Sequence, residues 1–115
     1  MSTPAVVLLR YAEQIVDGDA NADNIQSVRG AAFLARQALE ELVTDQCQNF
    51  NSELGRASMR SKLIVLRQLG DSDHAEAASL AWHGLSNACH HHAYELAPTV
   101  DEVRHLCAMV AGLLK

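Results

Sequence analysis

Apolar residues along the chain recur at alternating steps of three and four, the spacing that puts side chains on one face of an α-helix. The pattern predicts five helices, over residues 3–17, 23–49, 58–69, 73–97 and from 99 onward. No alternating run predicts a strand, and no repeat or low-complexity tract is present. The predicted fold is one all-α domain over residues 1–115, an up-and-down bundle of about five helices.

Capping residues mark the starts of the last two helices. Asp73 with Glu76 three residues later is a carboxylate variant of the capping box, and Thr99 with Glu102 is the usual form. The fourth helix is expected to run through the histidines until a proline ends it. The polar segment 18–24, between the first two helices, lacks the central glycine and glutamate of a calcium loop and is predicted to be a linker.

The second helix has the widest apolar face, which predicts a position between other helices. Its core-facing residues are Ile25, Val28, Ala32, Ala35, Leu39, Leu42 and Val43, and Ala31, Leu34 and Ala38 extend this surface towards a second neighbour. Its charged residues are predicted to face solvent. There Arg36 and Glu40 have the spacing of a surface ion pair.

The other helices have narrower apolar stripes. In the first, the predicted inward residues are Val7, Leu8, Tyr11, Ile15 and Ala12. In the third they are Met59, Leu63 and Leu66 with Ile64 or Leu69, followed by Gly70 as the closing residue. In the fifth they are Val103, Leu106, Val110 and Leu113 or Leu114. Together these stripes supply a core for one bundle.

Most of the candidate chemical groups lie in residues 82–96. On a helix His83, Asn87, His90 and Tyr94 share one face, while His91 and Glu95 form a pair four residues apart. Adjacent helical residues point about 100° apart, so the three consecutive histidines that end with His92 cannot serve one ion or one substrate together. His92 continues the apolar seam and is expected to be a partly buried structural residue.

Composition narrows the class of protein. Apolar residues make up 49% of the 115 and aromatic residues only 4%, which favours closely packed helices over a β-sandwich. The net charge of the chain is −5, whereas proteins that hold nucleic acid through its phosphates carry a surplus of basic residues. Any RNA contact must be local, and the most arginine-rich window is residues 56–67.

Three cysteines, Cys47, Cys89 and Cys107, have no CxxC spacing and are expected to be free thiols in a reducing compartment. There is no signal-peptide pattern at the start of the chain and no apolar run of membrane-spanning length. We therefore expect a cytoplasmic protein without a membrane segment, and no feature of the sequence calls for a cofactor.

The residues alone suggest two kinds of local chemistry, metal binding and nucleophilic catalysis. His91 and Glu95 are spaced to share a metal ion, which His74, His83 or His105 could join, but a second two-ligand helix motif is lacking. Ser86 or Cys89 with His90 would suit nucleophilic catalysis, but the sequence offers neither an orienting third group nor an oxyanion-hole motif. Core and interface roles are favoured for these residues.

Two blocks resemble the HEPN superfamily of small helical bundles. Residues 29–43, RGAAFLARQALEELV, are similar to its amphipathic R-x-A-L-E helix. Residues 85–103, LSNACHHHAYELAPTVDEV, are similar to the later helix that carries an Arg-polar-x-x-x-His signature, followed by a capped last helix. The blocks cover parts of the second, fourth and fifth helices, and the resemblance implies a HEPN-like bundle that forms a homodimer.

In active HEPN ribonucleases the signature Arg and His of two protomers meet and cleave RNA without metal. Here Asn87 matches the polar position and His91 the histidine, with His90 or His92 as shifted alternatives, while Ser86 replaces the Arg. A hydroxyl cannot stabilise phosphodiester charge as a guanidinium does. The replacement arginines to consider are Arg60 and Arg104.

The favoured interpretation is a dimerising binding or regulatory module that has lost catalysis, works with a protein partner and belongs to a defence or toxin-type system. The first alternative is a metal-independent endoribonuclease that uses His91 or His90. The weaker alternative is a metal-binding helical bundle centred on His91 and Glu95.

Overall fold

Five α-helices make up the fold in a computed structural model that describes residues 3–17, 25–90 and 97–114. The helices are α1 (Thr3–Asp17), α2 (Ile25–Phe50), α3 (Met59–Leu69), α4 (Ser72–Cys89) and α5 (Val100–Leu113), with a short 3-10 helix (Ser52–Arg56) between α2 and α3. The described ranges contain no strand, and the predicted all-α bundle is confirmed. The predicted linker, residues 18–24, lies outside these ranges.

Helix α2 is the centre of the bundle and packs against each of the other four helices. Its buried face alternates small and large side chains, and Ala35, Leu39 and Val43 are all fully inaccessible to solvent. Alanines let neighbouring helices approach closely, and a fully buried leucine contributes about 1.5–3 kcal/mol. The predicted position of α2 between other helices is therefore confirmed.

Helix α1 has an inward face that differs in part from the predicted one. Its buried residues are Ala5, Leu9, Ala12 and Val16. Of the predicted set, Ala12 is buried and Leu8 and Ile15 are partly buried against the core, whereas Val7 and Tyr11 are 46% and 56% exposed, so the prediction was wrong for these two. The reason is packing distance, because α1 lies against the alanine-rich α2 and small residues permit the closest approach.

Helix α3 begins at the N-cap Ser58, whose hydroxyl accepts a hydrogen bond from the Ser61 amide at 3.1 Å. Met59, Leu63 and Leu66 are buried as predicted. Ile64 and Leu69 are 55% and 62% exposed, so neither completes the inward face. At the end of the helix a Cβ on Gly70 would lie 2.9 Å from the carbonyl oxygen of Leu66, which explains glycine there.

Lys62 is buried between α2 and α3, which the sequence pattern did not predict. Its side chain is only 4% exposed, and its Nζ donates a hydrogen bond to Thr44 Oγ1 at 2.8 Å. The backbone carbonyl of Lys62 accepts a hydrogen bond from Cys47 Sγ at 3.4 Å. The ammonium group reaches this position because the aliphatic part of a lysine packs well against apolar neighbours.

Both ends of α4 differ from the prediction. The N-cap is Asp71, whose carboxylate accepts hydrogen bonds from the amides of Asp73 (2.9 Å) and His74 (3.3 Å), so Asp73 is inside the helix. The helix ends at Cys89, and His90 has an extended backbone with φ −83° and ψ 141°. The expected continuation through the histidine run therefore fails at its first member. Residues 91–96 lie outside the described ranges.

Helix α5 begins as predicted and closes the bundle. The Thr99 hydroxyl accepts a hydrogen bond from the Glu102 amide at 3.0 Å, so the capping box is confirmed. Val103, Val110 and Leu113 are buried, and Leu106 and Leu114 are partly buried. The helix packs against α1, α2 and α4, which places α4 between α5 on one side and α3 on the other.

Candidate functional site

An exposed stripe on the outer face of α4 and at its end contains two of the predicted site residues, Asn87 and His90. Glu76, Leu80, His83 and Asn87 share one face of the helix, and exposed His90 follows directly after its end. Leu80 is 60% exposed, so a large apolar side chain lies in the middle of a polar stripe. The other residues proposed for this face and its flank, His91, His92, Tyr94 and Glu95, lie outside the described ranges.

On its inner flank α4 meets an arginine from α2. The guanidinium of Arg36 lies over the Trp82 ring with its carbon 4.0 Å from the ring centroid. Its Nε donates a hydrogen bond to Ser86 Oγ at 3.0 Å. The predicted Arg36–Glu40 ion pair is not formed, since the ion pairs of the described residues all involve Arg104. A stacked and hydrogen-bonded guanidinium on a partly buried indole is a stronger contact than an exposed ion pair.

A second arginine of α2 meets the end of α4. Arg29 Nη1 donates a hydrogen bond to the backbone carbonyl of His90 at 2.7 Å. If the helix continued, this carbonyl would accept a hydrogen bond from the backbone amide four residues later. At the helix end Arg29 donates a hydrogen bond to the carbonyl in place of that amide. Arg29 and Arg36 are seven residues apart, which places them about 10.5 Å apart on one face of α2.

Cys89 lies beside these two arginines in what we call the α2–α4 seam, formed by Arg29, Arg36, Trp82, Ser86 and Cys89. Burial raises the pKa of the Cys89 thiol above its ordinary value, while the charges of Arg36 and Arg29 act in the opposite direction. A thiol with a raised pKa is protonated at neutral pH and is a poor nucleophile. The seam therefore gives no support to the cysteine-nucleophile alternative.

The remaining thiols are structural as well. Burial raises the pKa of Cys47, and burial together with the charges of Glu13 and Asp17 raises the pKa of Cys107 to about 12. All three cysteines are free, as the sequence predicted.

Arg104, one of the two arginines proposed as a phosphate contact, is engaged in the contact between α5 and α1. Its Nε and Nη1 contact carboxylate oxygens of Asp17 (2.9 Å) and Asp101 (2.8 Å). Its Nη2 donates a hydrogen bond to the carbonyl of Val16 at 2.7 Å. Two of these three contacts, with Asp17 and Val16, hold the end of α1 against α5, and two carboxylates offset the charge of Arg104.

Arg60, the other proposed phosphate contact, lies in a groove between α3 and α4 of about 610 Å³, which we call the α3–α4 groove. The groove is lined by Arg60, Leu63, Ile64, Arg67, Gln68, Ser79, Trp82 and His83. It brings Arg60 together with His83 of the α4 stripe. Trp82 belongs both to this groove and to the α2–α4 seam.

Asn87 is on the same stripe but lines a different groove, between α4 and α5, with a volume of about 370 Å³. Glu102 and His105 are among the other residues that line it. The α4 stripe therefore divides, with His83 turned to the α3 side and Asn87 to the α5 side. The two residues do not line a common pocket.

The histidines proposed as further metal ligands are spread over the fold. His74 lies within 3.1 Å of Gln46 Oε1 through its Nε2, in a third surface groove, while His83 and His105 line the two grooves described above. Across the described ranges no three histidine, cysteine or acidic side chains are close enough to hold an ion. The alternative ligand pair His91 and Glu95 lies outside those ranges.

The α2–α4 seam is the feature that sequence reasoning missed. Its signal was present in the seven-residue spacing of Arg29 and Arg36, which matches the spacing of Trp82 and Cys89 on the facing helix.

The described helices include none with the length and apolarity needed to cross a membrane. The chain matches no protein-family model, and comparisons with curated proteins and with solved structures gave no match.

Proposed function

We propose that the chain is a HEPN-like binding or regulatory module that forms a homodimer through the exposed stripe of α4 and has lost catalytic activity. The proposal places it in the cytoplasm, with a protein partner, in a defence or toxin-type system. The observation that carries it is the contact of Ser86, at the position of the signature arginine, with Arg36. Its hydroxyl accepts a hydrogen bond from a guanidinium that is already stacked on Trp82.

Arg29 and Arg104 support the loss of catalysis, whereas Arg60 is exposed. Arg29 is bonded to a backbone carbonyl and Arg104 to two carboxylates, so each has a structural partner. Arg60 lies in the α3–α4 groove. A guanidinium that holds a phosphate in a transition state needs open donors aimed at the reacting group.

The α4 stripe supports self-association because it places an exposed leucine in line with exposed polar side chains. Leu80 is 60% exposed, His83 and Asn87 follow it along the same face, and His90 comes directly after the helix. Contact of Leu80 with a second copy would remove apolar surface from water, which favours association. A two-fold interface would use this stripe on both protomers.

Light scattering coupled to size-exclusion chromatography tests the dimer. The native chain should elute with twice the mass of one protomer, and Leu80→Glu or His90→Ala should shift it towards the monomer. Val7→Glu is the matched control for Leu80→Glu, since Val7 is 46% exposed on α1, which is not among the helices packed against α4. A native protein that is monomeric at every concentration would rule out the proposed dimer.

A second candidate is a metal-independent endoribonuclease, and the α2–α4 seam is the observation that favours it. Arg36 reaches Ser86, and Arg29 reaches His90, so α2 supplies two cations beside the signature segment. If either guanidinium exchanged its present partner for a phosphate, it would replace the missing Arg in the same chain. The acid–base group would be His91 or His90.

RNA cleavage in EDTA separates the two candidates. The endoribonuclease should cleave single-stranded RNA, and both His90→Ala/His91→Ala and Arg36→Gln should abolish cleavage. His74→Ala is the matched histidine control, because His74 lies in the third surface groove, beside Gln46. No cleavage above the level of the double-alanine protein would remove the endoribonuclease and leave the binding module.

A further inference from the structure

We propose that the α3–α4 groove binds an acidic amphipathic helix of a partner protein. This inference names the partner chemistry of the proposed module and so rests on the chain being a binding module. The proposed dimer uses the exposed stripe of α4, whereas the partner helix would lie along α3, and the two surfaces share His83. Because Arg60 and Arg67 are outside the stripe, their substitution tests binding to the groove separately from self-association.

The charge of the groove favours an acidic partner. None of the eight residues that line the groove is acidic, and three of them, Arg60, Arg67 and His83, are basic. The chain as a whole has a net charge of −5, so this groove is a cationic site on an acidic protein. Such a local field attracts an acidic segment and disfavours a basic one.

The guanidinium groups of the groove are open. Neither Arg60 nor Arg67 forms an ion pair with any residue in the described ranges, where the ion pairs are those of Arg104 with Asp17 and Asp101. Both side chains are exposed. Binding a carboxylate there would not require a structural contact to be broken first.

The spacing of the α3 residues fits a helical ligand. Arg60, Ile64 and Arg67 are at positions i, i+4 and i+7, so they form one row with an apolar side chain between two cations. The two arginines are about 10.5 Å apart along the helix axis. A ligand helix with acidic residues seven positions apart and a leucine between them presents the complementary row.

The apolar part of the groove favours a peptide over nucleic acid. Ile64 is 55% exposed, and Leu63 and Trp82 also line the groove. An amphipathic helix buries apolar side chains on such a surface. A polynucleotide would bring many negative charges to a protein that is itself acidic, while two open arginines offset only a few of them.

Trp82 provides the measurement because it is the one tryptophan of the chain and lines the groove. The probe is a blocked peptide of about 20 residues, above the length at which an isolated helix is marginal. It carries glutamates seven positions apart with a leucine between them, and it has no tryptophan. A second peptide replaces the two glutamates with glutamine. Trp82 emission and the anisotropy of a dye on the peptide are followed together.

Saturable binding of the glutamate peptide, with weaker binding of the glutamine peptide, is the expected result. Arg60→Glu or Arg67→Glu should each weaken binding by roughly tenfold or more, since an attraction becomes a repulsion. Arg10→Glu, on α1, changes the net charge equally and should leave binding unchanged. All three arginines are exposed, so circular dichroism should show the same folded helix content in each variant.

Absence of saturable binding by both readouts would overturn the proposal, as would equal binding of the two peptides or an equal loss in Arg10→Glu. A single-stranded RNA that binds more tightly than the peptide and displaces it would assign the groove to nucleic acid instead. Light scattering on the same samples separates the two proposals. A monomer that binds the peptide contradicts only the proposed dimer. A dimer that does not bind the peptide contradicts only the proposed ligand of the groove.

Discussion

The α2–α4 seam and the α3–α4 groove both contain arginine and share Trp82, yet their cations have different surroundings. In the seam, Arg36 stacks on the indole and bonds to Ser86, and Arg29 bonds to the carbonyl of His90. In the groove, Arg60 and Arg67 are exposed and take part in none of the ion pairs of the described residues. Two neighbouring sites that share one side chain of α4 thus use the same residue type differently.

The contrast shows what an arginine in a helical bundle can be used for. A guanidinium whose donors are satisfied within the chain fixes the position of one helix against another, and its removal is felt as lost stability. A guanidinium with open donors contributes little to folding and keeps its binding capacity for a ligand. The seam should therefore respond to substitution in unfolding experiments, and the groove in binding experiments.

The largest effect is expected from Trp82→Ala, because Trp82 serves both regions. Removing the partly buried indole takes away the surface under Arg36 and one wall of the groove, and should lower the free energy of unfolding by about 3 kcal/mol. Denaturant unfolding followed by circular dichroism measures it. Trp82→Phe keeps an aromatic surface and should recover most of the loss. Equal losses in the two variants would show that the stacking surface is not what Trp82 supplies.

Arg36→Ala should lower the free energy of unfolding by about 2 kcal/mol, since it removes both the indole contact and the hydrogen bond to Ser86. Arg60→Ala, in the groove, should change it by less than about 0.5 kcal/mol. Arg36→Lys keeps the positive charge but not the planar guanidinium group, so it should retain only part of the stability that Arg36→Ala loses. Similar losses for Arg36→Ala and Arg60→Ala would erase the distinction between the two regions.

The helices could be predicted from the sequence because their signals are local. Apolar spacing gave five helices, and the Thr99 hydroxyl caps α5 as its capping box predicts. The face of α1 could not be predicted in this way, because the choice between Ala5 and Tyr11 as an inward residue depends on how closely α2 approaches. Buried Lys62 is similar, since its partner Thr44 is on another helix.

The seam escaped prediction for the same physical reason. Glu40 is four residues from Arg36 and is the partner that local spacing suggests, whereas the actual partners, Trp82 and Ser86, are on another helix. At the end of α4, the carbonyl of His90 is bonded to Arg29, which is 61 residues away in the chain. Contacts of this kind are decided by tertiary packing, which residue spacing within one helix does not encode.

Arg29→Ala should have a smaller effect than Arg36→Ala, because its hydrogen bond to the His90 carbonyl is exposed to solvent. We expect a loss of about 0.5–1 kcal/mol in the free energy of unfolding. The change should be concentrated at the end of α4, where hydrogen exchange of the Cys89 and His90 amides should accelerate. Arg10→Ala on α1 is the control. Unchanged exchange at these two amides would show that Arg29 does not hold the end of the helix.

The smallest expected effect is on the titration of Cys89, which reports the charge of the seam directly. Burial raises the pKa of this thiol above its ordinary 9.0, and the nearby Arg36 and Arg29 limit the rise. Because folding favours the neutral thiol, this group contributes stability below pH 9.0 that is lost as the pH rises above that value.

Arg29→Gln removes one of the two cations that limit the rise and should therefore raise the pKa of Cys89 further. Alkylation of each cysteine by iodoacetamide across the alkaline range, resolved by mass spectrometry, measures it. Cys89 should react before the more deeply buried Cys47 and Cys107, and high salt should reduce the difference between the variant and the native chain. An alkylation midpoint that is unchanged by Arg29→Gln but moved by Arg10→Gln would show that the thiol senses net charge and not the arginines of the seam.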